Sequence, residues 1–354
     1  MKNSTTTISR KFNSLSLICS FLIIGFFPTI LHSQNYRTID AYMDDFMKNE
    51  LFVKKSLMDY SISIVESQLY TRTKTTAARI IEKLEKINTI MKNSKNGFEG
   101  NTVLKDGFIK MNQKTIDCLK NGSLILNDYE YQSSLSLSEI GENFNRKESE
   151  LITYYQELKN FEIAKKTFAL NNKIHINGKS RKNILEYNAY QNILFYKMNV
   201  IDEKLTAVIN AKDKKGFSDC LDVIALMHQE IITKTNLYKN DYKDTTLNDA
   251  NVEYSNFILG QKDKLNDLFN NYADAYNAVQ LLKNPSYTQT KLSIEAYNNA
   301  VKTFNNKKNL FYTVFNTIQL NKVKMYNNWL TTNSSFLKNN GHFESIYDKY
   351  VYNN

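Results

Sequence analysis

The sequence predicts an all-α protein: two tandem duplicated antiparallel helical bundles of about four helices each, after an N-terminal signal peptide. Three observations carry this. Breakers are scarce, with 10 Gly and 2 Pro in 354 residues, so the chain has few places to stop a helix. Apolar residues recur at steps of three and four, the period of one helix face. Finally, a short loop-like stretch recurs 144 residues further on. With 42% hydrophobic and 23% charged residues and 3 Cys, the composition excludes collagenous, disulfide-stapled and disordered chains.

Residues 1–34 read as the signal peptide. Lys2, Arg10 and Lys11 precede an apolar run from Leu15 to Leu31, which closes on His32, Ser33 and Gln34. A charged start, an apolar middle and a small residue near the exit are the pattern of a secretory leader. The run is interrupted by Ser16, Ser20, Gly25 and Pro28 and falls short of the ~20 residues of a membrane span. Cleavage is expected near Ser33 or Gln34. Cys19 follows the bulky Ile18 in mid-run, a poor context for lipidation. Nothing after Asn35 is apolar for long enough to cross a membrane, so the exported chain is expected in the periplasm or at the cell surface without a transmembrane span.

The first bundle is placed at 35–172, with helices near 39–70, 75–93, 102–130 and 134–171. Ala77, Ile80, Leu84, Ile87 and Met91 form one apolar stripe, widened by Ile81; Leu151, Tyr154, Leu158, Phe161, Ala164 and Phe168 form another. Such stripes must be covered by other helices. A joint at Lys173 to Lys182 (KIHINGKSRK) leads to the second bundle, 180–340, with helices near 181–210, 218–238, 246–282 and 287–338. Pro285 breaks the chain before the last helix, whose stripe runs through Val301, Phe304, Phe311, Phe315 and Ile318, and 341–354 is left as a C-terminal tail. Alternating strand patterns are nearly absent. Asn96-Gly97 and Asn177-Gly178 read as helix-ending turns, because Gly accepts the left-handed conformation that stops a helix.

The internal repeat is carried by KNGFEGNT at Lys95 to Thr102 and KNDYKDTT at Lys239 to Thr246, each followed by Leu and Asp (Leu104 and Asp106; Leu247 and Asp249). Ile80 and Ile87 fall on Ile224 and Ile231, and Lys166-Thr167-Phe168 recurs as Lys302-Thr303-Phe304. In each loop an aromatic, Phe98 or Tyr242, is expected to cap the packing of two helices. Thr102 or Thr246 would then offer its hydroxyl to the free N–H groups of the next helix, with Asp106 or Asp249 near its positive end.

The aromatic-acidic start around Tyr42, Asp44 and Asp45, the turn at Phe98 to Thr102, the KKTFALNNKI segment at Lys165 to Ile174 and their shortened echo in the second half resemble an uncharacterised family of exported all-helical surface proteins first typified in Leptospira and common in Bacteroidota. The resemblance spans most of the chain after the leader. It implies location and architecture and supplies no catalytic residues; the KDTT form departs from the Gly-bearing turn.

Side chains suited to catalysis are few. After the leader the histidines are His175, His228 and His342, with neither Glu-x-x-His nor His-Glu-x-x-His spacing for a metal. There is no G-x-S-x-G elbow and no Gly-rich phosphate loop. Asp44 and Asp45 are adjacent, so they point to different sides of a helix. Cys118 and Cys220 are expected as separate buried thiols rather than a disulfide. Tyr187, Tyr190 and Tyr196 are expected to line a seam between helices rather than a binding face. The net charge of +10 suggests nucleic acid, but only Arg10, Arg37, Arg72, Arg79, Arg146 and Arg181 are arginines, and phosphate recognition favours Arg over Lys. The expectation is therefore a non-enzymatic interaction module for an unknown envelope protein or surface partner, with no nucleic acid, no cofactor and no catalytic, cofactor-binding or metal residues. The alternative is a bundle that binds a small ligand or soft metal ion between helices, at His228, Met227 and Cys220.

Overall fold

The computed structural model describes residues 36–67, 70–93, 96–122, 124, 126–177, 183–241, 243–283, 291–340 and 349–352. The leader, Tyr242, Pro285, His342 and residues 178–182 of the joint lie outside them.

Helix α1 (Ile39–Ser67) follows from a stripe at heptad-like steps: Tyr42, Phe46, Val53, Leu57 and Tyr60 are all buried. Glu50 sits on the same stripe and is also buried. In α2 (Tyr70–Asn93) the expected stripe is inward, with Ala77, Ile80, Leu84 and Met91 buried. The turn after it needs Gly97, whose φ is +58° and whose place would set a Cβ 2.1 Å from the carbonyl oxygen of Asn101. Phe98 drops into the core there, its ring 5.7 Å from that of Tyr42. The cap of α3 (Val103–Lys120) corrects the expectation for Thr102: its hydroxyl makes no cap hydrogen bond, and the Asn101 side chain accepts from Val103 N–H at 3.0 Å.

The helix expected over 102–130 is two pieces. Asn121 and Gly122, the latter at φ +72°, end α3, and a short α4 (Tyr129–Ser134) follows. Helix α5 (Leu137–Asn171) starts on a capping box: Ser136 Oγ accepts from Glu139 N–H at 3.3 Å, and Glu139 accepts from Ser136 N–H at 2.8 Å. The joint is not a plain loop. Its Ile174–Asn177 segment is strand β1, paired antiparallel with β2 (Lys349–Tyr352) in what had read as tail, in a two-stranded sheet. Both strands are four residues long; β1 does alternate as Ile174, His175, Ile176 and Asn177, but over one short stretch between helical patterns.

In the second half, α6 (Ile184–Ala211) is capped by Asn183 and ends on Lys212 in the left-handed conformation. Asp213 caps α7 (Lys214–Tyr238). The helix expected over 246–282 is interrupted at Gly260 and Gln261, giving α8 (Thr246–Leu259) and α9 (Lys262–Leu282). At the start of α8 the cap residue is Thr245, not Thr246, and the Asp244 carboxylate accepts from Thr246 N–H at 3.1 Å. The 50-residue α10 (Lys291–Asn340) packs along α9, α8 and α1. Its expected stripe is buried at Phe311, Phe315 and Ile318 but only half-buried at Val301 and Phe304.

The described residues belong to one compact unit. Its centre is α6, on which every residue from Gln191 to Asp202 is buried, with α4, α5, α7 and α8 packed around it. Phe195 of α6 stacks on Trp329 of α10 at 3.7 Å, and each such aromatic, fully enclosed, contributes roughly 1.5–3 kcal/mol. No described helix is long and apolar enough to cross a membrane.

Candidate functional site

The residues singled out for chemistry are dispersed. His228 is half-buried, its Nδ1 3.1 Å from the hydroxyl of buried Ser255, while Met227 packs on the core and Cys220 is buried. Among the described residues no group of three or more His, Cys, Asp or Glu is placed to hold a metal ion. Asp45 accepts from Tyr36 O–H at 2.6 Å, whereas Asp44 is exposed. His175 is exposed on β1. Cys118 and Cys220 are separate thiols, and burial pushes each up to about 12, away from the reactive thiolate. The tyrosines are seam residues: Tyr187 and Tyr196 are buried, Tyr196 O–H donates to Asp128 at 2.6 Å, and Tyr190 stacks on Tyr238.

The buried amides of α6, α8 and α10 are engaged with one another. Between α6 and α10, Asn188 donates to Asn333 at 2.6 Å, Asn333 donates to Asn192, and Asn192 donates back to Asn188 at 2.9 Å. Beside this ring Gln191 donates to Asn248, Asn251 donates to Gln191, and Trp329 donates its indole N–H to Asn251 at 2.9 Å. Such a network is stable in a dry interior only when its members are satisfied.

Buried lysines hold the seams. Lys165 of α5 lies 3.1 Å from Glu50 of α1, which also meets Lys54 at 2.7 Å. Burial pushes Glu50 up, yet Lys165 and Lys54 hold it below its usual value. Lys197 of α6 is shared by Glu148 of α5 and Glu230 of α7, at 3.0 and 2.9 Å. Lys322 of α10 bridges Asp202 and Glu203 of α6, and against burial these carboxylates keep it above its usual range. Lys147 is different: burial holds it below the usual lysine range, with its ammonium donating to the Gly122 carbonyl at 2.9 Å and lying 5.4 Å over the Tyr196 ring.

A recess between α1, α5 and α6 is lined by Leu57, Tyr60, Leu126, Leu151, Tyr154 and Leu185. It leaves a cavity of about 30 Å³, room for a water or two and not for an organic ligand. What can meet a partner is outside. Ile152, Ile163 and Leu170 on α5 are 58%, 62% and 78% exposed, and Leu226 and Leu237 on α7 and Leu292 and Leu310 on α10 also stand in solvent. In the sequence the α5 residues are overshadowed by the richer stripe on the opposite side of the helix. Their spacings of eleven and seven residues were the available signal, since they return to within about 20° of one line on a helix.

Comparison with protein-family models, with curated proteins and with solved structures finds no match to this chain.

Proposed function

We propose that the chain is exported and acts in the periplasm or at the cell surface as a non-enzymatic interaction module built from two helical repeats. The observation that carries this is the division of labour between inside and outside: the seam lysines and the amides between α6 and α10 are engaged with one another, the recess takes only water, and unpartnered aliphatic side chains stand on outer helix faces. Export is supported by the charged, apolar and small-residue order of residues 1–34. Duplication is supported by the two loops. Asn101 and Asp244 each accept the N–H two residues on, Leu104 and Leu247 are each fully buried, and Asp106 and Asp249 each occupy a first turn.

Fractionation of the native cell, with sequencing of the chain's N-terminus, tests export; a start near Ser33 to Asn35 in the envelope fraction is expected, and an intact Met1 in the cytoplasm refutes it. Cross-linking in the intact envelope is expected to join the chain to a protein partner. Substrate turnover abolished by one point substitution would refute the non-enzymatic reading.

A further inference from the structure

The geometry points to the outer face of α5 as the docking surface for an acidic amphipathic helix of a partner protein, an inference that rests on the interaction-module reading. Helix α5 carries two seams. The inner one, Leu151, Tyr154, Phe161 and Phe168, is buried in the core. The outer one reads Ile152, Gln156, Lys159, Ile163, Lys166 and Leu170, at alternating steps of four and three, which is the spacing that keeps one line of side chains facing a second helix. From Ile152 to Leu170 it runs about 27 Å at 1.5 Å per residue.

The charge on this strip selects the occupant. Between Ile152 and Leu170 the carboxylates lie off the line and are already engaged: Glu157 with Lys110 at 3.1 Å and Glu162 with Lys165 at 3.0 Å. Among the described residues Lys166 makes no ion pair, and neither does Lys173 just beyond the helix end; Lys159 meets Glu186 at 2.8 Å. A second copy of this face would bring lysines against lysines with no carboxylate between them, which disfavours self-pairing. An anionic membrane would find three aliphatic side chains separated by polar ones, not the continuous apolar face that inserts into lipid. A helix bearing aliphatic residues opposite Ile163 and Leu170, and Asp or Glu opposite Lys166 and Lys173, satisfies both features.

The test uses the full exported chain and a labelled three-heptad synthetic helix with Leu at the seam and Glu on both flanks, beside the same helix with Lys flanks and phosphatidylglycerol vesicles. The Glu helix should bind, and more weakly as salt rises. The double variants Ile163→Ser with Leu170→Ser, and Lys166→Glu with Lys173→Glu, should each weaken it about tenfold. Lys302→Glu with Lys307→Glu on α10 should leave affinity within about twofold. These side chains are exposed or half-exposed, and unchanged thermal unfolding confirms that each variant is folded. The inference is overturned if the Glu helix does not bind, if it binds no better than the Lys helix, if the α10 variant weakens it as much as the α5 variants, or if only the vesicles bind. Envelope cross-links confined to other faces would overturn it and leave the module reading standing, whereas substrate turnover would overturn the module reading alone.

Discussion

Lys165 is almost wholly buried, and it is tolerable there because Glu50 and Glu162 approach it at 3.1 and 3.0 Å. Removing one partner leaves the other charge with a single counter-charge, Glu162 for Lys165 or Lys54 for Glu50, so the loss is part of the about 3–5 kcal/mol that a fully stranded buried charge costs, whereas replacing a buried pair with apolar groups is often neutral. Glu50→Gln or Lys165→Met alone should therefore destabilise, and the double variant should recover part of the loss in urea unfolding. The pH dependence has a definite sign. Glu50 is held below its ordinary 4.5, so its contribution is complete above that value and is lost as the pH falls below it. Urea midpoints should drop below about pH 4.5, less steeply in Glu50→Gln. Asn112 is the opposite case, fully buried with neither side-chain oxygen nor nitrogen hydrogen-bonded. Asn112→Leu should raise stability by about 1 kcal/mol, since the desolvation of the amide is uncompensated. Cys118 and Cys220, each pushed up to about 12 by burial, should resist a thiol reagent in the native chain and both react on unfolding.

At the scale of elements, ends were harder to read than bodies. The stripes of α2 and α5 could be read from spacing alone, because burying them requires one face of a helix and no other geometry. The break after α3 had its signal in Asn121-Gly122, but the apolar residues Leu124 and Leu126 beyond it resemble a continuing helix; Gly122 in the left-handed conformation decides the matter. The interruption at Gly260 carried one Gly in an otherwise helical run. Strand β1 carried a four-residue alternation, Ile174 to Asn177, but its partner β2 lies far away in the chain, and that pairing has no local signal. Two substitutions test the ends. Ser136→Ala removes one side of the capping box of α5 and should cost about 1 kcal/mol. Gly97→Ala should cost at least as much, because it must displace the Asn101 carbonyl from 2.1 Å and hold a left-handed φ.

For the whole molecule the decisive element is α6. An amphipathic helix in a four-helix bundle leaves one face wet, yet α6 is enclosed over three turns. The first half supplies part of that enclosure: Glu148 pairs with Lys197, Tyr155 O–H donates to the Leu185 carbonyl at 2.8 Å, and Phe144 lies 5.9 Å from Tyr196. Residues 35–172 and 180–340 produced as separate chains should therefore each show weak near-ultraviolet dichroism and bind a hydrophobic dye. Mixed together, they should regain the native signal. Cooperative unfolding of either half alone would show that the two cores are independent.

That the chain is helical, and which faces turn inward, follows from residue order alone, because periodicity and scarce breakers are local properties. The folded arrangement is what buries Gln191, Lys197, Asn199 and Asp202 on one helix, pairs strand β1 with residues 349–352 and leaves Ile152, Ile163 and Leu170 in solvent. Those outcomes depend on which distant helix covers which face, and a side chain's cost or benefit is set by the groups that arrive against it.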